Sequence, residues 1–412
     1  MAQFNLTTAS NLFKIKYGKL SENTYNSANV LLGRVKKDFN FTGKRMDIAV
    51  PTSFAGGVGS GSLPTPNYAA VQDAVITSKK MYSVIQIDRE AIKASSQNEG
   101  AFVELTKYSV QKGVESWMRN MSRALFNGIT AYQVGSGNGH LGTTTAAAAG
   151  GSAAAPTVVI SAASWKEANF EEKDYINVDS AANPYSTSAV WEITAVDPST
   201  RTVTLARISG SVDLTADAGA KILVMQNSKA NDPTGLKEVL DATSGSLYGI
   251  SVGRRWQAGA QVAAAGAGLT TDLMNQTMLE IQRKSGKVPN LILCSFVQYR
   301  KLLNVLEDQK QYIVEPRSPE LVGKVSFRGV EFMSSAGPVG VFPERFIEDD
   351  RMYMLNDNYI QLHHRPDFGW FDDDGSVFLR TASADAYEAR FGGYLESYVV
   401  PPFHGVISGL AI

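Results

Sequence analysis

GAFVELTKYSVQKGVESWMRNMSRALFN, residues Gly100–Asn127, is the stretch whose reading decides the fold. Its apolar positions Val103, Val110, Val114, Trp117, Met118, Met121 and Leu125 recur at three, four and seven, one face of a 3.6-residue period. The spacing predicts one long amphipathic helix, about 40 Å from end to end at about 1.5 Å per residue. Asn98 is its predicted N-cap with Glu99 in the first turn, and Gly128 is placed for a left-handed C-terminal position. Immediately upstream the pattern is β. Arg45–Val50 reads as a short strand, and Pro51–Pro66 as a loop tip carrying Gly56, Gly57, Gly59, Gly61 and Pro64. Tyr68–Ile76 and Met81–Ile87 read as the legs of a long hairpin or as strands laid along a neighbour. A thin hairpin feeding a long helix encloses no pocket. It gives one subunit a surface to lay over the next, which points to a building block rather than a catalyst.

At 412 residues the chain suggests two or three domains. Its 44% hydrophobic and 19% charged residues are those of a folded protein. A net charge of -1 argues against a dedicated nucleic-acid binder with a basic face. The balance hides an asymmetry: Met1–Arg45 carries eight Lys/Arg against two acids, and Val341–Ile412 twelve Asp/Glu against five Arg. No run approaches the roughly 18 apolar residues of a membrane span, and no secretory signal pattern follows Met1. A cytoplasmic site of synthesis and no membrane partner are therefore expected. The lone Cys294, inside the apolar run Leu291–Cys294, is expected to be a core residue.

Met1 to about Gly43 has little periodicity and reads as an extended arm. After the long helix, Gly135–Ala155 is low-complexity Gly/Ser/Thr/Ala. Thr157–Gln226 then predicts strands at Thr157–Ile160, Tyr175–Val178, Val190–Val196, Thr202–Arg207 and Lys221–Met225, an inserted small barrel or sandwich. From Pro233 onward helix and strand mix. Helices are predicted over Thr270–Lys284 and from a Ser295 cap to Leu306, and strands at Asn290–Cys294, Val325–Phe332 and Arg351–Leu355. Phe368–Phe371 and Val377–Arg380 flank Asp373-Asp374-Gly375, a hairpin-turn signal, and Phe391–Val400 closes the chain.

No motif supports catalysis. Gly137-Asn138-Gly139-His140-Leu141-Gly142 has a dinucleotide-loop spacing, but a helix precedes it and a Thr/Ala tract follows. Asp372-Asp373-Asp374-Gly375 resembles part of a calcium loop, yet its first and twelfth positions would be Trp370 and Thr381. His363 and His364 would point to opposite faces of a strand, and with His140 and His404 elsewhere neither a zinc site nor a Cys/His pair is supported. Arg254-Arg255 and Arg283-Lys284-Ser285-Gly286-Lys287 have phosphate-binding chemistry, with solvated helix ends as the plainer reading. No catalytic, cofactor or metal residues are assigned.

With its segments in this order, the chain resembles the major capsid proteins of tailed bacteriophages, the HK-ninety-seven capsid fold, over nearly its whole length. The resemblance implies an α+β fold with residues 1–43 as N-terminal arm, 44–90 as the extended E-loop and 91–134 as peripheral domain with spine helix. It further implies an inserted β domain at 135–232, an axial domain at 233–358 and a return to the peripheral domain at 359–412. Its function would be to self-assemble as hexamers and pentamers into the icosahedral shell around a double-stranded DNA genome, with no enzymatic activity and no cofactor. A portal, a separate scaffolding protein and a decoration protein would be its partners, with non-specific contact to packaged DNA. Some relatives begin with a scaffolding segment that is cut off; here Met1 leads into the arm, so no large N-terminal cleavage is expected. Some relatives cross-link a loop lysine to an asparagine, for which Lys79 and Lys80 would be the candidates. The alternatives are an encapsulin-like compartment of the same fold and an α/β enzyme with a β-barrel appendage.

Overall fold

A computed structural model of the chain describes residues 30–39, 41, 43–53, 56–59, 61, 70–90, 99–128, 141–146, 149–180, 189–217, 219–228, 231–307, 330–335, 337–365, 368–371, 377–381 and 385–412. Most of the expected arm, the Asn98 cap, His140 and the Asp372–Gly375 turn lie outside them. The described chain opens with a short helix α1 (Val30–Arg34), which buries Leu31 and Leu32, and strand β1 (Lys36–Asp38). Strands β2 (Arg45–Pro51) and β3 (Val71–Thr77) then form an antiparallel hairpin, Arg45 opposite Thr77 and Pro51 opposite Val71. Strand β4 (Lys79–Asp88) and the long helix α2 (Glu99–Asn127) follow.

Helix α2 buries the face its sequence predicts: Val110, Val114, Trp117, Met118, Met121 and Leu125 are all in the core. Trp117 anchors it. Its indole N–H donates to Met81 O at 3.2 Å, and its ring lies edge-on to Phe391 at 5.3 Å. The helix end differs from expectation. Gly128 is not among the residues with positive φ. It is required instead for close approach: a Cβ there would run into Pro233 O and Ala124 O, and Gly235 N–H donates to Gly128 O at 2.9 Å.

The segment from β5 (Gly142–Thr143) and β6 (Gly150–Gly151) through β7 (Pro156–Val159), β8 (Tyr175–Ser180), β9 (Val190–Asp197), β10 (Thr202–Ser209) and β11 (Lys221–Met225) is one seven-stranded sheet. It runs β5-β11-β8-β9-β10-β7-β6, and a bridge between Thr144 and Ile160 joins β5 back to β7. Ser161 N–H donates to Thr143 O and Thr145 N–H to Val159 O, both 2.9 Å, so the sheet closes. Of the two architectures expected, it is the barrel. Alternating strand residues (Trp191 and Ile193, Val203 and Leu205) fill its interior, which is the period-2 rule applied to a closed sheet.

Beyond the barrel come helix α3 (Leu236–Asp241), a small ladder of β12 (Ser246–Leu247) with β13 (Ile250–Ser251), and strand β14 (Ala260–Ala263). Helix α4 (Thr271–Ser285) starts with Leu273 N–H donating to Thr270 Oγ1 and ends on Gly286 at φ +72°. Strand β15 (Leu291–Cys294) leads into helix α5 (Phe296–Glu307), whose Gln298 N–H donates to the predicted cap Ser295 at 3.2 Å. Strands β16 (Val330–Ser334), β17 (Gly337–Pro343) and β18 (Met352–Leu355) complete this region.

The chain then runs through β19 (Ile360–His364), β20 (Gly369–Trp370), β21 (Phe378–Arg380), the long β22 (Ala386–Val399) and β23 (Gly405–Ser408). Two six-stranded sheets result. The first is β1-β19-β22-β20 with β4 and β21 also on β22; the second is β14-β23-β18-β15-β17-β16. Three expectations need correction. Met81–Ile87 does not pair with the run before it: β4 lies along β22, from Lys79 opposite Leu395 to Asp88 opposite Ala386, so the hairpin's legs are β2 and β3. The two runs around Asp373-Asp374-Gly375 are not a hairpin. Trp370 pairs with Phe391 and Phe378 with Ala389, so both satisfy their backbones on the same edge of β22 as one interrupted strand. The closing segment does not return wholly to the first sheet, because β23 pairs with β14 and β18 in the second.

Candidate assembly surfaces

The described residues hold no group of three His, Cys, Asp or Glu arranged to bind a metal ion. His363 and His364, adjacent on β19, are both buried and find different partners: His363 Nδ1 lies 3.2 Å from Asp38 Oδ2, and His364 Nδ1 lies 2.8 Å from Arg365 O. His404 accepts the Asn356 N–H through Nδ1 at 3.1 Å, and burial lowers its pKa to about 3. Cys294 is fully buried as expected, and burial pushes its thiol up to about 12. A cleft of about 590 Å³ between barrel and second sheet includes Lys166, Glu344, Ser295 and Asp349. Burial pushes Glu344 up to about 7, a shift that catalytic acids share. The neighbouring hydroxyl is engaged elsewhere: Ser295 Oγ caps α5 and donates to Asp349 O at 3.3 Å. Among the described residues that line it, the cleft thus contains no nucleophile–base pair.

What the molecule does present is reach. The β2–β3 hairpin packs its inner face (Met46, Ile48, Val50) on the body and is hydrogen-bonded at its base, where Val75 N–H donates to Tyr248 O at 2.8 Å and Tyr248 Oη donates to Ser397 O at 3.0 Å. At the far end Val58 is 99% exposed, flanked by Gly57 and Gly59. Lys79 and Lys80 lie in β4, paired within the first sheet rather than at the hairpin tip. Large apolar side chains stay open on other edges: Tyr82 and Val84 on β4, Met333 on the edge strand β16, Leu279 on α4 and Phe296 on α5. Single exposed apolar residues are ordinary. Their placement on sheet edges and outer helix faces is that of contact surfaces. No described helix is long and apolar enough to cross a membrane.

How the barrel is fastened to the body leaves no local mark in the sequence. Lys166 of the barrel, Lys237 of α3 and Arg351 converge on Glu348, and all but Arg351 are almost wholly buried. Lys237 Nζ lies 2.5 Å from Glu348 Oε1, and Arg351 also binds Asp241 at 2.7 Å. Lys166 Nζ donates in addition to Asn127 Oδ1 at 2.7 Å, at the end of α2. A second fastening joins Arg119 of α2 to Asp174 at 2.5 Å and to Glu171. Partners so far apart in the chain leave no local signal; Glu348 reads as part of a solvated acidic run. Arg283 and Lys284 do end a helix, and together with Arg254 and Arg255 they line one cleft of about 510 Å³.

The sequence profile of one family, the SU10 major capsid protein, matches residues 65–368. No curated protein sequence matches. Among solved structures the chain is similar to one in the capsid asymmetric unit of cyanophage A-1(L), at 12% identity over 92% of this chain and 91% of that one, TM-score 0.51. Weaker similarity extends to the capsid of an empty GTA particle, 9% identical over 94% and 97% of the two chains with TM-score 0.45. The SrpI encapsulin of Synechococcus elongatus PCC 7942 is 8% identical over 92% and 86%, with TM-score 0.42. At these identities the cyanophage match shows a shared fold and nothing more, and the other two fall below that level.

Proposed function

This chain belongs to the SU10 major capsid protein family, and from that premise we propose that its copies close, as hexamers and pentamers, into the icosahedral head shell of a phage's double-stranded DNA genome. That it is a capsid protein of the HK-ninety-seven fold follows from the family and the fold. One observation carries the rest: the profile match extends from the approach to β3, over α2, the barrel and all of the second sheet but β23, to just past β19. The family's pattern therefore covers one leg of the hairpin, β3, together with most of the packed body, whereas β2 and the glycine-rich tip precede it. In this reading residues up to 43 are the arm, the β2–β3 hairpin is the E-loop, and α2 with the first sheet is the peripheral domain. The barrel is an insertion and the second sheet the axial domain.

The mechanism is mechanical. Each subunit offers the hairpin, two sheet edges and outer helix faces, and weak contacts repeated around a closed symmetric shell add up to a stable one. Interfaces of this obligate kind bury more than about 2,000 Å². A net charge of -1 suits a wall that touches packaged DNA without gripping it. A closed shell filled with DNA also needs a guide to curvature and an entry vertex, so a scaffolding protein and a portal are the expected partners, with a decoration protein on the outer face. Assembly takes place in the host cytoplasm, and the protein performs no catalysis.

Negative-stain microscopy of the expressed full chain, with sizing of the same sample, tests this. Shells, tubes or capsomers are the expected result. A monomer or small oligomer that binds a small ligand in a cleft would overturn it in favour of an enzyme. Particles that hold cargo protein and no nucleic acid, made in the presence of portal and genome, would favour a compartment shell instead.

A further inference from the structure

Strand β4 lies at an edge of the first sheet, with only one side of its backbone satisfied. Arg365 N–H donates to Tyr394 O and Phe371 N–H to Arg390 O, both at 3.0 Å, which turns the even-numbered backbone of β22 away from β4. The odd-numbered residues of β22 are therefore the ones that bond β4, and the register sets them opposite its odd-numbered residues, Phe391 opposite Ser83. The backbone N–H and C=O groups of Lys80, Tyr82, Val84 and Gln86 point outward, and no hydrogen bond to them is found among the described residues. All four side chains are exposed, Val84 by 57%. An open edge of ten residues, about 33 Å, is long for a strand that meets only water.

The projecting hairpin has an open edge of its own. Val75 N–H donates to Tyr248 O, so the odd-numbered residues of β3 point away from β2, and Asp47, opposite Val75, points away on the other side. Arg45, Asp47 and Ala49 thus line a free edge on β2, all three exposed, whereas β3 is engaged at Val75. Both edges are open in one and the same fold, so they do not serve each other within a chain. Their charges fix the direction in which a second copy fits. Strand β2 is entered through Lys44-Arg45; β4 starts at Lys79-Lys80 and ends at Asp88, with Glu90 just beyond. Antiparallel pairing lays the basic start of one on the acidic end of the other, whereas parallel pairing would bring the four cations together. With Arg45 opposite Asp88, outward backbone meets outward backbone at each step: Asp47 with Gln86, Ala49 with Val84, and Pro51, which has no N–H to place, with Tyr82 where the ladder ends.

We propose that β2 of one copy adds to β4 of the next as an antiparallel strand, so that each hairpin extends its neighbour's first sheet. The contact rests on the shell reading, and it is head-to-tail: each partner uses a different surface, so it repeats around a ring. Its test uses the full chain, with particle yield read by sedimentation and microscopy and folding by circular dichroism. Arg45→Glu and, separately, Asp88→Arg each lower particle yield about tenfold while the subunit stays folded. Combining them restores yield to within about threefold of wild type, because the opposed charges are then exchanged rather than lost. A chain with Asp47→Cys and Gln86→Cys gives a ladder of disulfide-linked subunits on oxidation, and either cysteine alone gives a single band. The native Cys294 is buried and takes no part. This cysteine pair decides the matter if a charge variant fails to fold. Normal yield from either charge variant, no recovery on combining them, no ladder, or dimers from one cysteine alone would overturn the contact and leave the shell reading standing. A wild-type chain that forms no particles would overturn the shell reading itself, and the contact with it.

Discussion

Lys166 Nζ stands 3.3 Å from Glu348 Oε1 with both side chains buried, so an ion pair shielded from water holds the barrel to the body. Burial alone would raise the Glu348 pKa, but the charges of Lys166, Lys237 and Arg351 outweigh it and hold the carboxyl far below the usual range. Burial lowers Lys166 to about 8 against the opposing pull of Glu348. The acid is therefore the hub and each cation a spoke. Glu348→Gln leaves buried cations without a counter-charge and should cost about 3–5 kcal/mol. Lys166→Met removes one spoke while Glu348 keeps two, and should cost about 1–2 kcal/mol. Denaturant unfolding of both variants checks the order. A Lys166→Met cost larger than that of Glu348→Gln would contradict the arrangement.

Gly128 and Gly286 both follow a helix, and they are glycine for different reasons. Gly286 adopts φ +72° with open space around it, so Gly286→Ala should cost about 1 kcal/mol of left-handed strain. Gly128 has no such φ but is packed against the backbone at Pro233, and a Cβ on Gly235 would come within 2.5 Å of Gly128 N. Backbone cannot rotate aside as a side chain does, so Gly128→Ala should cost about 3 kcal/mol. Comparing the unfolding midpoints of the two variants decides the point; equal losses would mean the α2–α3 junction relaxes.

These contrasts mark what the sequence makes legible. Signals that act within one or two turns survive in it: the 3.6-residue face of α2, the Ser295 cap, and the alternation that places five of the seven barrel strands to within about two residues of where they are found, whereas the two-residue strands β5 and β6 lie in the tract read as a low-complexity connection. Pairings made across the chain leave no local trace. Met81–Ile87 alternates like a hairpin leg whichever strand it meets, and only the fold shows its partner to be Tyr387–Gly393. Glu348 looks solvated because its neighbours Asp349 and Asp350 are acids, although its three cations come from three separate elements or loops. Arg254-Arg255 and Arg283-Lys284 likewise became one surface only once α4 brought them together.

Burial pushes Glu396 of β22 up to about 8, against hydrogen bonds it accepts from Thr234 N–H at 2.7 Å and Ser397 N–H at 3.1 Å. Below its ordinary value of 4.5 the group is protonated in folded and unfolded chains alike and has no effect on stability. Between that value and about 8 the unfolded chain releases a proton that the folded chain keeps. Stability therefore falls as pH rises through this window, by up to about 1.4 kcal/mol per unit. Glu396→Gln keeps an acceptor oxygen and removes the ionisation, so the variant should be more stable than wild type at pH 8 and indistinguishable near pH 4.5. Urea midpoints across that range are the measurement, and a difference independent of pH would rule out Glu396 as its source.

Deleting Gly56–Gly61 tests the hairpin directly. None of the described residues of the tip belongs to the three apolar cores, whereas the hairpin's inner face (Met46, Ile48, Val50) packs on the body and its base is held by Val75 and Tyr248. Shortening the tip should thus leave the unfolding midpoint within the about 0.5 kcal/mol expected of a surface change. Assembly is another matter, because a repeated contact is lost from every subunit at once. Even about 1 kcal/mol per copy is multiplied around a closed ring, so particles should give way to free subunits or capsomers at concentrations where wild type assembles. The informative outcome is the dissociation of the two readouts: normal folding with failed assembly. Normal particles from the deletion would show that the hairpin's reach is not what joins the subunits.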